Sequence, residues 1–262
     1  MGRLENGKWI DQWHNTKDTK GRYVRKPSIY RNWITKDGAA GPSGRDGFTA
    51  EKDRYHLYVS WACPWAHRTL IFRAIKGLED IISISVVNAI MRSNGWTFDD
   101  GQGVIADSIN NKKYLYEVYL KEDQNYSGRV TVPLLWDKKT SSIVNNESAD
   151  IIRMFNSEFD DIGANPGNYY PEAKRTAIDD MNDYIYQNIN NGVYRSGFAT
   201  TQEAYNEAIE TLFLGLDKLD TILSHQKYLI GDEITESDWR LLPTLLRFDS
   251  VYHGHFKCNK KK

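Results

Sequence analysis

A β-prone run, a helical segment and a second β-prone run follow one another in the N-terminal half of the chain. Residues 55–60 are rich in β-formers, and the apolar residues after them recur at helical spacing until Gly77. Residues 81–87 form the next β-prone run. Strand, helix and strand at this spacing predict a βαβ unit, in which the two strands are parallel and the helix crosses between them.

The remaining pattern divides the chain into an α/β half and an all-α half. We expect an N-terminal extension at 1–52, an α/β domain at 53–156, a linker at 157–171 and a helical domain at 172–262. The α/β half contains a long polar insertion at 88–128, too long for an ordinary connection. Further predicted elements are a helix at 112–121, a hairpin at 130–144, and helices at 148–155, 172–190, 202–224 and 236–246.

Charge and hydropathy argue against a nucleic-acid-binding protein and against a membrane-spanning protein. The 262-residue chain has 34 Lys and Arg residues and 35 Asp and Glu residues. It therefore lacks the excess of positive charge that is typical of nucleic-acid-binding proteins. No apolar run approaches the ~20 residues that a membrane helix requires, so no membrane partner is expected. Two cysteines make no disulfide framework, and the N-terminus has no apolar signal region. These features predict a reducing, cytoplasmic location.

Cys63 stands between the first predicted strand and the helix, with Pro64 at the first helical position. A thiol at a helix N-terminus faces backbone N–H groups and the positive end of the helix dipole, which lowers its pKa below the ordinary value of about 8.5. His67 and Arg68 add positive potential one turn later. Because no second cysteine completes a Cys-x-x-Cys pair, the expected intermediate is a mixed disulfide with an external thiol. The alternative is a buried, inert cysteine.

Five motifs between about residue 55 and residue 259 are mutually consistent. They are YVSWACPWAHRTL at 58–70, GRVTVP at 128–133, NNES at 145–148, NNGVY at 190–194 and the segment 247–259, which begins RF and ends HFKCN. Together they resemble the signature of glutathionyl-hydroquinone reductases, the xi class of glutathione transferases. The resemblance implies an α/β plus all-α fold, with a thioredoxin-like N-terminal domain followed by a helical glutathione-transferase C-terminal domain.

The resemblance also implies an activity, the reduction of glutathionyl-hydroquinones to hydroquinones. Cys63 would attack the glutathione sulfur, and a second glutathione would then cleave the Cys63–glutathione disulfide. Glutathione is therefore the expected co-substrate, and no metal is expected. Tyr194 resembles the family's proton donor to the departing hydroquinone, and Tyr252 resembles a tyrosine that helps to hold the cysteine as thiolate. Family members commonly form homodimers, so a second copy of the chain is an expected partner.

The same resemblance implies a set of glutathione-binding residues. Glu147 and Ser148, at a helix N-terminus, would take the amine and carboxylate of the γ-glutamyl end. Val132 precedes Pro133, which resembles the family's cis-proline beside the backbone that pairs with the cysteinyl part. Arg129 can reach a carboxylate. The whole implied set is Trp96, Arg129, Val130, Thr131, Val132, Glu147 and Ser148, with Pro64 and Pro133 as structural residues.

Other interpretations stay open at this point. An omega-like thioltransferase or dehydroascorbate reductase would use the same cysteine and glutathione. A non-catalytic scaffold on the same fold would keep an inert cysteine. A third interpretation is a metal site at His253, His255 and Cys258, for which the sequence shows no fourth ligand.

Two features concern folding and length. Thr235 and Asp238 match a Ser/Thr-x-x-Asp capping element of glutathione-transferase helical domains, which we assign to folding. Family members usually continue for several dozen residues beyond the last motif, so the helical domain at 172–262 is expected to be incomplete.

Overall fold

The computed structural model describes residues 2–12, 14–43 and 45–260, and these form two compact units. The first unit contains residues 2–12, 27–43 and 45–167, and the second contains residues 14–26 and 168–260. The stretch expected as an extension, 1–52, is thus divided between the two units. Its residues 1, 13 and 44, and residues 261–262 of the expected helical domain, lie outside the described residues.

Within the described residues, the first unit is built on nine strands and three α-helices. Its elements in chain order are β1 (Arg3–Glu5), β2 (Lys8–Ile10), β3 (Trp33–Thr35), β4 (Gly47–Thr49), β5 (Tyr55–Val59), α1 (Pro64–Ile75), β6 (Ser83–Val86), α2 (Leu115–Glu122), β7 (Gly128–Arg129), β8 (Leu134–Asp137), β9 (Ser142–Asn145) and α3 (Ser148–Ser157).

The central sheet of this unit has the strand order β6-β5-β8-β9. Strands β5 and β6 are parallel, which confirms the predicted βαβ unit. Strands β8 and β9 form the predicted hairpin, and β8 is antiparallel to β5. The hairpin begins at Leu134 rather than at residue 130, because Pro133 has no N–H group to give to the ladder. Every residue of β5 is buried, as expected of a central strand.

Four short strands lie in the stretch that was expected to be an N-terminal extension. Strands β1 and β2 form a hairpin, and β1 also pairs with β7, so that Arg3 lies opposite Arg129. Strands β3 and β4 form a separate parallel pair. Each strand has only three residues, which is too short for a visible apolar alternation.

The second unit is helical, as predicted. Its elements are α4 (Arg175–Ile185), a π-helical turn at Tyr186–Asn190, α5 (Gly192–Phe198), α6 (Gln202–Leu223), α7 (Glu236–Leu245) and a π-helical turn at Phe248–Tyr252. The three helices predicted here are confirmed. Helix α5 escaped prediction because it is one short segment with two glycines, and it forms by packing against α6.

The beginning of α7 shows a reciprocal cap. The Thr235 side chain accepts from the backbone at Asp238, and one Asp238 carboxylate oxygen accepts from the Thr235 amide at 2.8 Å. This pairing satisfies two amides that a helix terminus leaves without intrahelical partners. Among the described residues, no helix is both long and apolar enough to cross a membrane.

The buried side chain of His56 makes the stability of the fold depend on pH. Its ring is fully buried in β5, with Nδ1 2.8 Å from the Ser83 hydroxyl and Nε2 2.9 Å from the Ser85 hydroxyl. The Ser85 hydroxyl donates to the carbonyl of Ala106, so it accepts from Nε2–H, and Nδ1 accepts from Ser83. Burial lowers the pKa of His56 to about 4, so the folded protein keeps this ring neutral.

We predict that this histidine destabilises the fold as pH falls from 6.5 to 4. The unfolded state takes up a proton near pH 6.5 and the folded state near 4, so the free energy of unfolding falls across this window by about 2–3 kcal/mol. Urea unfolding at pH 7 and pH 4.5 should show a smaller pH dependence in His56→Gln than in the wild type. The control His225→Gln, at an exposed position, should keep the wild-type dependence. An equal pH dependence in His56→Gln and wild type would contradict the prediction.

Candidate functional site

Cys63 is the N-cap residue of α1 and Pro64 occupies the first turn. The Cys63 amide donates to the Ser60 carbonyl at 3.1 Å, and the Cys63 carbonyl accepts from the His67 amide at 3.0 Å, so the backbone on both sides is fixed. The side chain is partly exposed, and its Sγ lies 3.5 Å from the Val132 carbonyl oxygen. The thiol therefore lies at the N-terminus of a helix, where the helix dipole favours an anion.

The segment before β8 passes beside this thiol. The peptide bond between Val132 and Pro133 is cis, and Val132 is buried. Within the part of the chain that the structure describes, the Val132 amide has no hydrogen-bond acceptor. A buried amide without an acceptor costs free energy, so a ligand with a carbonyl group would be stabilised there.

Asn146 and Glu147 form the turn between β9 and α3, and Ser148 is the first residue of α3. Glu147 is the N-cap of α3, and its Oε1 accepts from the Ala149 amide at 3.2 Å. Its other oxygen, Oε2, accepts from the Ser28 hydroxyl at 2.9 Å. Ser148 is buried at the first turn of the helix. The Glu147 carboxylate can meet an amine of a ligand, and the N-terminus of the helix beside it can meet an anionic group of the same ligand.

Arg129 and Trp96 lie on segments that the N-terminal hairpin touches. The Arg129 guanidinium donates from Nη1 to the carbonyls of Gln12 at 2.8 Å and Gly2 at 3.3 Å. Trp96 lies in the insertion, where its carbonyl accepts from the Leu115 amide at 3.0 Å. These two hydrogen bonds of Arg129 go to this chain's own backbone, whereas the sequence predicted a role toward a ligand carboxylate.

Tyr194 and Tyr252 both belong to the second unit and lie near each other there. Their ring centroids are 6.2 Å apart, in an edge-to-face arrangement. Tyr194 follows one π-helical turn, and Tyr252 is the last residue of the other. Such turns are frequent at functional sites. Phe256 packs edge-on against both rings, at 5.5 Å from Tyr194 and 5.1 Å from Tyr252.

Sequence reasoning missed the residues that brace the Glu147 turn. Ser28 holds the Glu147 carboxylate, and the Tyr30 backbone exchanges hydrogen bonds with Asn146. Arg31 forms an ion pair with Asp150 on α3. All three bracing residues lie more than 100 positions away in the chain. No local pattern could have revealed these contacts.

The two cysteines of the chain differ in environment. Cys258 is fully buried in the core of the second unit, and burial raises its pKa to about 12. We predict that iodoacetamide at pH 7.5 modifies Cys63 and leaves Cys258 unmodified until the protein is denatured. Peptide mapping by mass spectrometry measures this directly. Modification of Cys258 in the folded protein would contradict the burial argument, and a folded protein with unmodified Cys63 would favour the scaffold interpretation.

The alternative interpretation as a metal site rested on His253, His255 and Cys258. Within residues 2–12, 14–43 and 45–260, no group of three or more His, Cys, Asp or Glu side chains is placed to hold a metal ion. The Cys258 thiol instead lies 3.5 Å from the Phe256 carbonyl oxygen.

Comparison with known proteins agrees with the architecture of both units. Residues 62–158 match the family described as glutathione S-transferase, N-terminal domain, and residues 202–260 match glutathione S-transferase, C-terminal domain. Glutathionyl-hydroquinone reductase YqjG of Escherichia coli is 58% identical over 263 residues, covering 100% of this chain and 80% of that protein. Glutathionyl-hydroquinone reductase PcpF of Sphingobium chlorophenolicum is 55% identical over 262 residues, with coverage of 100% and 80%.

Solved structures give the same result. The glutathione-bound structure of YqjG superposes with a TM-score of 0.89 at 55% identity and covers 99% of this chain and 79% of that one. Glutathione S-transferase Xi from Phanerochaete chrysosporium gives a TM-score of 0.85 at 50% identity, with coverage of 92% and 80%. The chain belongs to the xi class of the glutathione S-transferase family. Its first unit is the thioredoxin-like domain of that family and its second unit is the helical domain.

Proposed function

We propose that this protein reduces glutathionyl-hydroquinones to hydroquinones, with glutathione as the reductant and Cys63 as the nucleophile. The observation that carries the proposal is the Cys63 thiol at the N-terminus of α1, beside the Val132 backbone whose amide has no acceptor among the described residues. Relatives named glutathionyl-hydroquinone reductases are 55% and 58% identical over the whole chain, which supports the choice of substrate.

The reaction consists of two displacements at sulfur. The Cys63 thiolate attacks the sulfur of the conjugate, the bond between that sulfur and the aromatic ring carbon breaks, and the ring carbon takes up a proton. This step leaves a disulfide between Cys63 and glutathione and releases the hydroquinone. A second glutathione thiolate attacks the glutathione sulfur of that disulfide and leaves as oxidised glutathione, restoring the Cys63 thiolate. The chain therefore alternates between two covalent states, which predicts ping-pong kinetics.

The glutathione portion would bind along the first unit. The Val132 amide and carbonyl pair with the cysteinyl peptide, and Val130 and Thr131 continue that edge of the site. Glu147 holds the γ-glutamyl amine, while Ser148 and the first amides of α3 hold its carboxylate. The remaining contacts are assigned to Arg129, toward the glycyl carboxylate, and to Trp96, over the peptide. These roles are supported by the placement of the Cys63, Val132 and Glu147 groups and by the family resemblance.

Two tyrosines of the second unit complete the proposal. Tyr194 gives a proton to the departing hydroquinone, since a neutral phenol is a competent proton or hydrogen-bond donor at pH 7. Tyr252 favours the thiolate state of Cys63. The edge-to-face pair that they form and the two π-helical turns support a shared role. Because the second step consumes reduced glutathione, we place the reaction in the cytoplasm, where glutathione keeps thiols reduced. A homodimer is proposed on the family resemblance alone.

A steady-state assay separates this function from the omega-like alternative. The purified chain is mixed with glutathione and either a glutathionyl-hydroquinone or dehydroascorbate, and the product is followed by chromatography. We expect kcat/KM for the glutathionyl-hydroquinone to exceed that for dehydroascorbate by at least about 100-fold. Equal or reversed specificity would favour the thioltransferase or dehydroascorbate reductase interpretation, and inactivity on both substrates in a folded protein would favour the scaffold.

A further inference from the structure

One buried hydroxyl joins the two segments to which the proposed glutathione site belongs. Tyr119 lies on α2 inside the long insertion, and its side chain is fully buried. Its hydroxyl donates to the Thr131 carbonyl at 2.9 Å and accepts from the Thr131 amide at 3.3 Å. It also accepts from the Asn146 side-chain amide at 3.2 Å. Thr131 directly precedes Val132, and Asn146 directly precedes Glu147.

These contacts use the full capacity of the phenol, which has one donor and two acceptor lone pairs. Burial raises the pKa of Tyr119, so the hydroxyl keeps its proton and remains a donor. Both segments that it joins are otherwise irregular: Thr131 lies between β7 and β8, and Asn146 lies between β9 and α3. Irregular backbone depends on such side-chain contacts to hold one conformation.

Neighbouring hydrogen bonds restrain the residues on both sides of the Tyr119 hydroxyl. The Glu122 carboxylate, one turn after Tyr119, accepts from the Ile143 amide at 2.7 Å and so fixes the end of α2 to β9. On the other side, the Asn146 amide donates to the Tyr30 carbonyl at 3.1 Å, and the Asn146 side-chain oxygen Oδ1 accepts from the Tyr30 amide at 3.2 Å. The position of the Tyr119 hydroxyl is thus set by one end of the hairpin and by the segment before β3.

We infer that Tyr119 is a positioning residue for glutathione: its hydroxyl sets the distance between the Val132 backbone and the Glu147 turn, so that one peptide ligand can reach both. This inference rests on the proposed function. It assigns a role to the insertion 88–128 that the resemblance did not give, because α2 supplies the brace rather than a ligand contact. Loss of the hydroxyl should loosen the two segments against each other while Cys63 and its helix stay unchanged.

The test compares Tyr119→Phe with Tyr55→Phe, which also removes a fully buried hydroxyl in the first unit, one that donates to the Thr49 carbonyl instead. Calorimetric titration with glutathione should give a Kd about tenfold higher in Tyr119→Phe and within about twofold of wild type in Tyr55→Phe. The KM for glutathione should rise in parallel, while kcat at saturating glutathione and the alkylation rate of Cys63 stay within about twofold of wild type.

Asn146→Ala breaks the same bridge from its other end and carries the test if Tyr119→Phe does not fold. It should also weaken glutathione binding, and the double variant should lose less affinity than the sum of the two single losses, because the hydrogen bond between Asn146 and Tyr119 is lost in both single variants. Wild-type affinity in folded Tyr119→Phe, or equal losses in Tyr119→Phe and Tyr55→Phe, would overturn the inference alone. Failure of the wild type to bind glutathione would overturn the proposed function and this inference with it.

Discussion

Replacement of Cys63 by serine should lower kcat/KM for a glutathionyl-hydroquinone by at least ~1,000-fold. A serine hydroxyl at the N-terminus of α1 keeps the size of the side chain, but it is a weak nucleophile at neutral pH and cannot form the disulfide that both displacement steps require. Glutathione binding should stay within about threefold of wild type, because the binding groups assigned to Val132 and Glu147 are intact. Steady-state kinetics and calorimetric titration of the same preparations measure the two quantities.

Cys258→Ala is the matched control for this variant. Cys258 is the only other cysteine of the sequence and is buried in the core of the second unit, where it has no assigned chemical role. The control should keep wild-type kcat/KM within about threefold, with some loss of stability from the missing sulfur. Substantial activity in Cys63→Ser, or loss of activity only in Cys258→Ala, would show that Cys63 is not the nucleophile.

Asp137→Ala should destabilise the first unit by about 3–5 kcal/mol, since it leaves the Arg54 guanidinium, whose side chain is only 9% exposed, without its main partner. Arg54 donates to both oxygens of Asp137, from Nε at 3.0 Å and from Nη2 at 2.6 Å, and the Asp137 side chain is fully buried. Asp137 also accepts from the Lys139 amide and the Thr140 hydroxyl at the turn of the hairpin. Urea unfolding at pH 7 measures the change in the free energy of unfolding.

The stability that the Arg54–Asp137 pair contributes decreases as pH falls. Burial alone would raise the pKa of Asp137, but hydrogen bonds from Arg54, Thr140 and the Lys139 amide outweigh it and hold the pKa below its ordinary value. The stabilisation is therefore present above about pH 4 and is lost as pH falls through the lowered pKa. Asp99→Ala is the control, because its ion pair with Lys113 is exposed and should contribute less than about 1 kcal/mol. A loss in Asp137→Ala no larger than in Asp99→Ala would contradict the prediction.

The parts of the fold that the sequence predicted are those with local patterns. Strand β5, helix α1 and strand β6 follow one another within 32 residues, Tyr55–Val59 to Ser83–Val86, and each has its own periodicity. The long helices of the second unit have the same property. The three-residue strands β1 to β4 lack it, and β1 pairs with β7 across more than 120 positions. Such strands are specified by their partners rather than by their own sequence.

The residues of the candidate site also divide into those that the sequence could predict and those that it could not. Cys63 could be predicted as a reactive thiol from its place between a strand and a helix, and the family resemblance supplied Glu147, Arg129 and the tyrosines. The braces behind them, Ser28 and Tyr119, could not be predicted, because a buried tyrosine hydroxyl looks like any other of the 16 tyrosines until its partners are known. Their role follows from long-range hydrogen bonds, which neither composition nor spacing encodes.

The central claim is that Cys63 receives glutathione from a glutathionyl-hydroquinone, and intact-mass spectrometry tests it most directly. The purified chain is mixed with the conjugate in the absence of other glutathione, next to Cys63→Ser. The proposed function predicts a single glutathione adduct that maps to Cys63, with hydroquinone released in equal amount, and its removal when reduced glutathione is added. A folded wild-type protein that forms no adduct, or an adduct on Cys63→Ser, would contradict it.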